Sequence, residues 1–248
     1  MRRYRLTLVL VAILAAAGCT TQLDTFEDSG LTRNPTYRGR AAAITLVDLP
    51  PVASDQQMRV FAESTITQLR EQWDMYAYGS VLVHPQSFEV QYLSGDTEVK
   101  VSCRAERGVT SRDSRPTLCE SVLYVPIIGM LVYWQELQSG KYAGKPEAEL
   151  GMFVELAAAL GDYYEYSLTR FADNVFEVEL APAKNKPLFA QCVAGVLAYH
   201  NVSMSGGAVP KPWRLAIPRH DNSEAVALES GYGKTTTVRT CYDLYWVA

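Results

Sequence analysis

The sequence predicts an α+β fold, with mixed or antiparallel sheets and about three helices, in a globular domain that follows a signal peptide and a flexible tether. Three observations predict it. Apolar residues make up 48% of the 248-residue chain, ample for a packed core. Residues 54–76 place apolar side chains at steps of three and four, the period of an amphipathic helix. Residues 88–92 and 99–101 alternate apolar and polar side chains, the period of a strand.

The chain opens on Arg2, Arg3 and Arg5, followed by an apolar run over residues 6–17 that is broken only by Thr7. A basic start, a short apolar core and small residues at a cut site make a secretory signal. The run falls short of the roughly 17–25 apolar residues that a membrane-spanning helix needs. Residues 1–18 are therefore read as a signal peptide and the polar residues 19–40 as a tether. Residues 41–248 form the folded domain, with 41–140 and 141–248 as candidate subdomains.

The small residues end in Ala16-Ala17-Gly18-Cys19, which resembles the lipobox of bacterial lipoproteins. The resemblance implies cleavage before Cys19, lipid on its thiol and an acyl chain, palmitate for example, on the new amino terminus. Two or three acyl chains anchor a protein stably where one does not. Thr20, rather than Asp, follows the cysteine. In the family's sorting rule that implies the periplasmic face of the outer membrane. An ordinary signal peptide with an incidental cysteine is the plain alternative.

Removing residues 1–18 takes away three arginines and no acid, leaving 20 basic and 27 acidic residues, a net charge of −7. That balance argues against general nucleic-acid binding, which needs a basic footprint. With Cys19 assigned to lipid, Cys103, Cys119, Cys192 and Cys241 remain. An even number in an oxidising compartment predicts two disulfides. Three pairings exist and spacing alone selects none; Cys103–Cys119 with Cys192–Cys241 is preferred here.

In chain order, residues 41–49 read as a strand stopped by Pro50-Pro51. Ser54 and Gln57 form a capping box for the helix that carries Met58, Phe61, Thr65, Leu69, Trp73 and Tyr76 on one face. Residues 80–84 read as a short strand. Residues 88–92 and 99–101 read as a hairpin about Ser94-Gly95-Asp96. The apolar run 122–134 predicts a buried strand, a turn at Pro126 and Gly129, and a second element; an exposed docking patch is the sharper alternative. Pro146 opens a helix that Gly161 closes. Two strands follow at 164–168 and 176–180, then a third helix over 188–198 whose Ala190, Ala194 and Ala198 allow close packing. Residues 203–223 read as irregular, and 225–229 and 235–247 as final strands.

The candidate contact surface is the loop 104–116, which carries Arg104, Arg107, Arg112 and Arg115. Clustered guanidinium groups suit phosphate groups or an acidic partner, although a solvated polar loop is the blander reading. Gly231-Tyr232-Gly233-Lys234-Thr235 resembles a phosphate loop but has Leu228 where a glycine is required, so it reads as a hairpin turn. His84, His200 and His220 sit in unlike contexts and form no zinc pattern. No metal, cofactor or catalytic residue is assigned. Acid pairs such as Glu147 with Glu149, or Glu177 with Glu179, suit a solvent face.

The expected role is that of a non-enzymatic accessory or structural subunit of an envelope complex, held to the membrane by lipid and in contact with other envelope proteins. Two rival roles remain. One is a ligand-binding lipoprotein that recognises peptidoglycan or lipid; the other is a glycan hydrolase that uses an acid pair.

Overall fold

A computed structural model describes residues 44–77, 88–104, 107–139, 143, 146–176, 183–204, 221–233, 236 and 238–246. The leader, Cys19, the tether and the strand expected at 80–84 lie outside the described residues. The fold is α+β, with six helices and five short strands among the described residues, more helical than expected.

The first helix, α1 (Asp55–Ala77), starts as the sequence predicts. The Ser54 N–H donates to Gln57 Oε1 at 2.9 Å, and the Gln57 N–H donates back to Ser54 Oγ at 3.3 Å. Met58, Phe61, Thr65 and Leu69 are buried along one face. Of the strand expected at 41–49, residues 44–49 are described and pair with no other strand among the described residues. The side chain of Gln68 takes a neighbouring strand's place: Thr45 N–H donates to Gln68 Oε1 at 2.7 Å, and Gln68 Nε2 donates to Thr45 O at 3.0 Å. One side-chain amide thus satisfies both backbone groups of Thr45.

The strands are β1 (Glu89–Leu93), β2 (Glu98–Val99), β3 (Val109–Thr110), β4 (Thr117–Cys119) and β5 (Val122–Pro126). One sheet has the order β1-β5-β4, with β1 parallel and β4 antiparallel to the central strand. A second ladder pairs β2 with β3. The hairpin expected between 88–92 and 99–101 is therefore overturned. The chain does turn at Gly95, whose φ is +61°. Beyond it, however, β1 gains a five-residue ladder on the buried strand β5, from Glu89↔Val122 to Leu93↔Pro126. The two residues of β2 offer no comparable partner.

Most of the run 122–134 is core, with Val132 the exception at 45% exposed. The run forms β5 and then enters α2 (Ile127–Ser139) directly at Pro126, with Tyr133 and Trp134 each 1% exposed. Trp134 Nε1 donates to Pro50 O at 2.9 Å. Gly129 does not break the run. It lies within the helix, at a point where the loop backbone packs too close for any side chain: a Cβ there would stand 1.7 Å from Asp113 O.

The helix begun at Pro146 runs to Phe176 as α3, 31 residues long. Gly161 does not close it, because its missing Cβ admits α4 (Lys186–Met204); that Cβ would lie 2.7 Å from Ala190 Cα. The strand expected at 164–168 is helix instead. Leu156, Leu160, Tyr163, Tyr164 and Ser167 are buried at steps of one, three and four, the helical stripe that the alternation of Tyr164, Tyr166 and Leu168 conceals. Phe176, expected to begin the next strand, is the last residue of α3, and residues 177–182 lie outside the described residues.

The final strands are likewise helices, α5 (Asn222–Gly231) and α6 (Val238–Tyr245). Asp221 caps α5, its Oδ1 accepting from Glu224 N–H at 2.8 Å. Val238, Cys241, Tyr242 and Trp246 are buried at helical spacing, whereas Leu244, which strand alternation would bury, is 46% exposed. Gly231, read as part of a hairpin turn, instead ends α5 against α4. One cluster of buried apolar residues runs from Ile44 to Trp246. Among the described residues no helix is long and apolar enough to cross a membrane.

Candidate functional site: a charge-lined cleft under the arginine loop

The four domain cysteines meet in the preferred pairs. Cys103 and Cys119 form a disulfide with Cα atoms 5.7 Å apart, and Cys192 and Cys241 form one at 5.6 Å. The first closes the base of the arginine loop, and the second joins α4 to α6.

Three of the four loop arginines are bound by acids of the same chain. Arg104 pairs with Asp113 and donates to Thr117 Oγ1 at 2.8 Å. Asp113 also accepts from Thr110 Oγ1 at 2.9 Å, so it ties the loop to itself. Arg112 meets Asp96 at 2.8 Å on the open surface, where such a pair contributes little. Arg115 reaches further. Its Nη1 and Nη2 donate to the two carboxylate oxygens of Glu224 on α5, at 2.6 and 2.8 Å. Its Nε lies 3.5 Å from Glu155 Oε2 on α3. The hydrogen bond with Glu224 raises the Arg115 guanidinium above its ordinary range, against the opposing effect of burial, and Glu155 adds to the rise. Arg107 is exposed and has no ion-pair partner among the described residues.

Between this loop and the helices lies a cleft of about 380 Å³. The loop supplies Arg104, Arg107 and Arg115; α3 supplies Glu155 and Asp162; α4 supplies Lys186 and Gln191. Glu155 is 3% exposed. Glu165, 5% exposed, holds Lys186 through a 3.0 Å pair. Burial in the cleft lifts the Asp162 carboxyl to about 6, with Lys186 pulling it down and Glu165 pushing it up. Gln191 is 3% exposed, and its Oε1 has no hydrogen-bond partner among the described residues. A second cavity, also lined by Arg104 and Arg107, is completed by Glu98, Lys100 and Ser102.

The sequence points to the arginines but not to the acids that hold them. Glu155, Asp162 and Glu165 are absent from the sequence-based candidates, as are Lys186, Gln191 and Glu224. A signal was there: Glu155 and Asp162 stand seven residues apart, two turns along a helix whose buried residues are mostly apolar, so they share one face. Of the acid pairs considered from sequence, Glu149 has its carboxyl raised by burial and by Asp48 of the 44–50 segment. The side chain of Glu147 and both members of the Glu177 and Glu179 pair lie outside the described residues. No three His, Cys, Asp or Glu side chains gather as a metal site among the described residues. No protein-family model, curated protein or solved structure matches the chain.

Proposed function

We propose that this protein is a lipid-anchored, non-enzymatic accessory subunit of an envelope complex, tethered through Cys19 at the periplasmic face of the outer membrane. The observation that carries the reading is the fastening of the arginine loop. A disulfide closes its base, and Arg115 pins it to acids on two separate helices. The disulfides support an oxidising compartment. The ion pairs support a preformed surface, because three of the loop's four arginines are already held by acids of the same chain. A preformed surface favours docking of a partner, since little ordering remains to be done on binding.

The cleft supports a second reading, a ligand-binding lipoprotein. Both share the anchor, and one experiment tests it. Cys19→Ser should move the protein from the membrane pellet to the soluble fraction, and retention of that variant through a carbonate wash would defeat the anchor. Crosslinking in intact cells, followed by isolation of the mature protein, should return the same envelope protein in stable proportion. Isolation of the protein by itself counts against the subunit reading.

A further inference from the structure

Charge in the cleft is not evenly committed. Arg104, Arg115 and Lys186 are engaged by Asp113, by Glu155 with Glu224, and by Glu165. One acid on its helical walls is not so engaged. Asp162 on α3 lines the same cleft with no ion pair among the described residues, and its carboxyl is lifted to about 6, chiefly by desolvation, with Lys186 pulling it down and Glu165 pushing it up. At the other extreme, Arg107 is exposed, lines the same cleft, and carries a charge unmatched among the described residues.

A ligand that answers both needs carries a cationic donor at one end and an anion at the other. We infer that the cleft binds a small zwitterion, an amino acid or short peptide, whose ammonium seats against Asp162 and whose carboxylate meets Arg107. The volume of about 380 Å³ lies within the range usual for small-molecule sites. A simple anion fits less well: it meets Arg107 but leaves Asp162 without a cation, and reaching Arg115 or Arg104 would displace Glu224 or Asp113. A simple amine leaves Arg107 with nothing to hold. The inference rests on the ligand-binding reading of the cleft and is independent of the anchor.

The test is titration of the purified mature protein, in detergent, with dialanine, N-acetyl-dialanine and dialanine amide, followed by calorimetry and NMR. Dialanine should bind, acetylation should weaken binding about tenfold or more, and amidation should weaken it several-fold. Asp162→Asn should reduce dialanine binding as acetylation does, with no further loss when both changes are combined. Arg107→Ala should abolish the difference between acid and amide. Arg107 is exposed, so its variant should fold, and the acetylation comparison on the unaltered protein decides even where Asp162→Asn does not fold. Absence of dialanine binding up to about 10 mM, or equal binding of the acetylated peptide, overturns the inference. Either result leaves the membrane-release experiment untouched, so failure of the cleft and failure of the anchor are told apart.

Discussion

Arg115 and Glu224 lie 109 residues apart in the chain and meet through two hydrogen bonds, Nη1 to Oε1 at 2.6 Å and Nη2 to Oε2 at 2.8 Å. The planar guanidinium matches the carboxylate fork, a pairing that lysine cannot reproduce. The same guanidinium also faces Glu155, which is 3% exposed. Arg115→Ala would leave that acid buried without its cation. The expected loss is about 2–3 kcal/mol, less than for a fully buried pair because the Arg115 side chain is 31% exposed. Urea denaturation of the mature protein measures it. Arg115→Lys should recover part of the loss, and a change within about 0.5 kcal/mol for the alanine variant would show that the clamp is ornamental to stability.

The two disulfides close loops of different size, with sequence separations of 16 and 49. On the chain-entropy account they stabilise by about 3 and about 4 kcal/mol, so loss of Cys192–Cys241 should be the more damaging. Both its sulfurs are buried in the main core, and it joins α4 to α6. Thermal melts of the Cys103→Ser/Cys119→Ser and Cys192→Ser/Cys241→Ser double variants should rank in that order. Thiol labelling of the native protein, denatured without reductant, should find none of these four cysteines free. Two labelled domain thiols would contradict the pairing.

The sequence made parts of this fold readable where local chemistry and tertiary packing agree. Ser54 and Gln57 announce α1, and the apolar run 122–134 announces core, because each depends on residues close in the chain. It misled where a residue answers to a distant neighbour. Gly161 looks like a helix stop yet serves the approach of Ala190, and Gly129 looks like a break yet makes room for Asp113. Tyr and Thr at alternating positions in 164–168 and 238–246 mimic strand period, since the helical stripe shares some of those positions. The candidate site divides in the same way. Four arginines clustered in one loop are visible in the letters, but Glu155 and Glu224 reach Arg115 only through the fold.

Helices α4 and α5 cross with backbone nearly in contact, which leads to a prediction about two glycines. A Cβ on Gly195 would stand 2.2 Å from Leu228 O, and one on Gly231 would stand 1.9 Å from Cys192 O. The obstacle in both cases is backbone, which cannot rotate aside as a side chain can. Gly195→Ala and Gly231→Ala should each destabilise by about 1–3 kcal/mol or more, despite the better helix propensity of alanine. Because both widen the same crossing, the double variant should lose less than the two losses added. Chemical denaturation of the three variants gives the coupling, and simple additivity would separate the two sites.

Asp162 makes a prediction about pH whose sign is opposite to that of an ion-paired acid. Its carboxyl rises from the ordinary 3.8 to about 6 in the folded state, because desolvation outweighs the attraction of Lys186. Between those values the folded state binds more protons than the unfolded state, so this group lowers stability as pH rises from about 4 to about 6 and contributes a constant penalty above. Asp162→Asn removes the titration while keeping the shape. Stability of the variant relative to the natural protein should be near zero below about pH 4, climb through the window, and level off at a gain on the order of 1–3 kcal/mol near pH 7.5. Urea midpoints taken across this pH range test it. A variant that is uniformly less stable above pH 6 would mean that the ionised carboxylate is held by Lys186 more firmly than the cleft expels it. Its affinity for an ammonium group would then be the weaker for having a cation already in place.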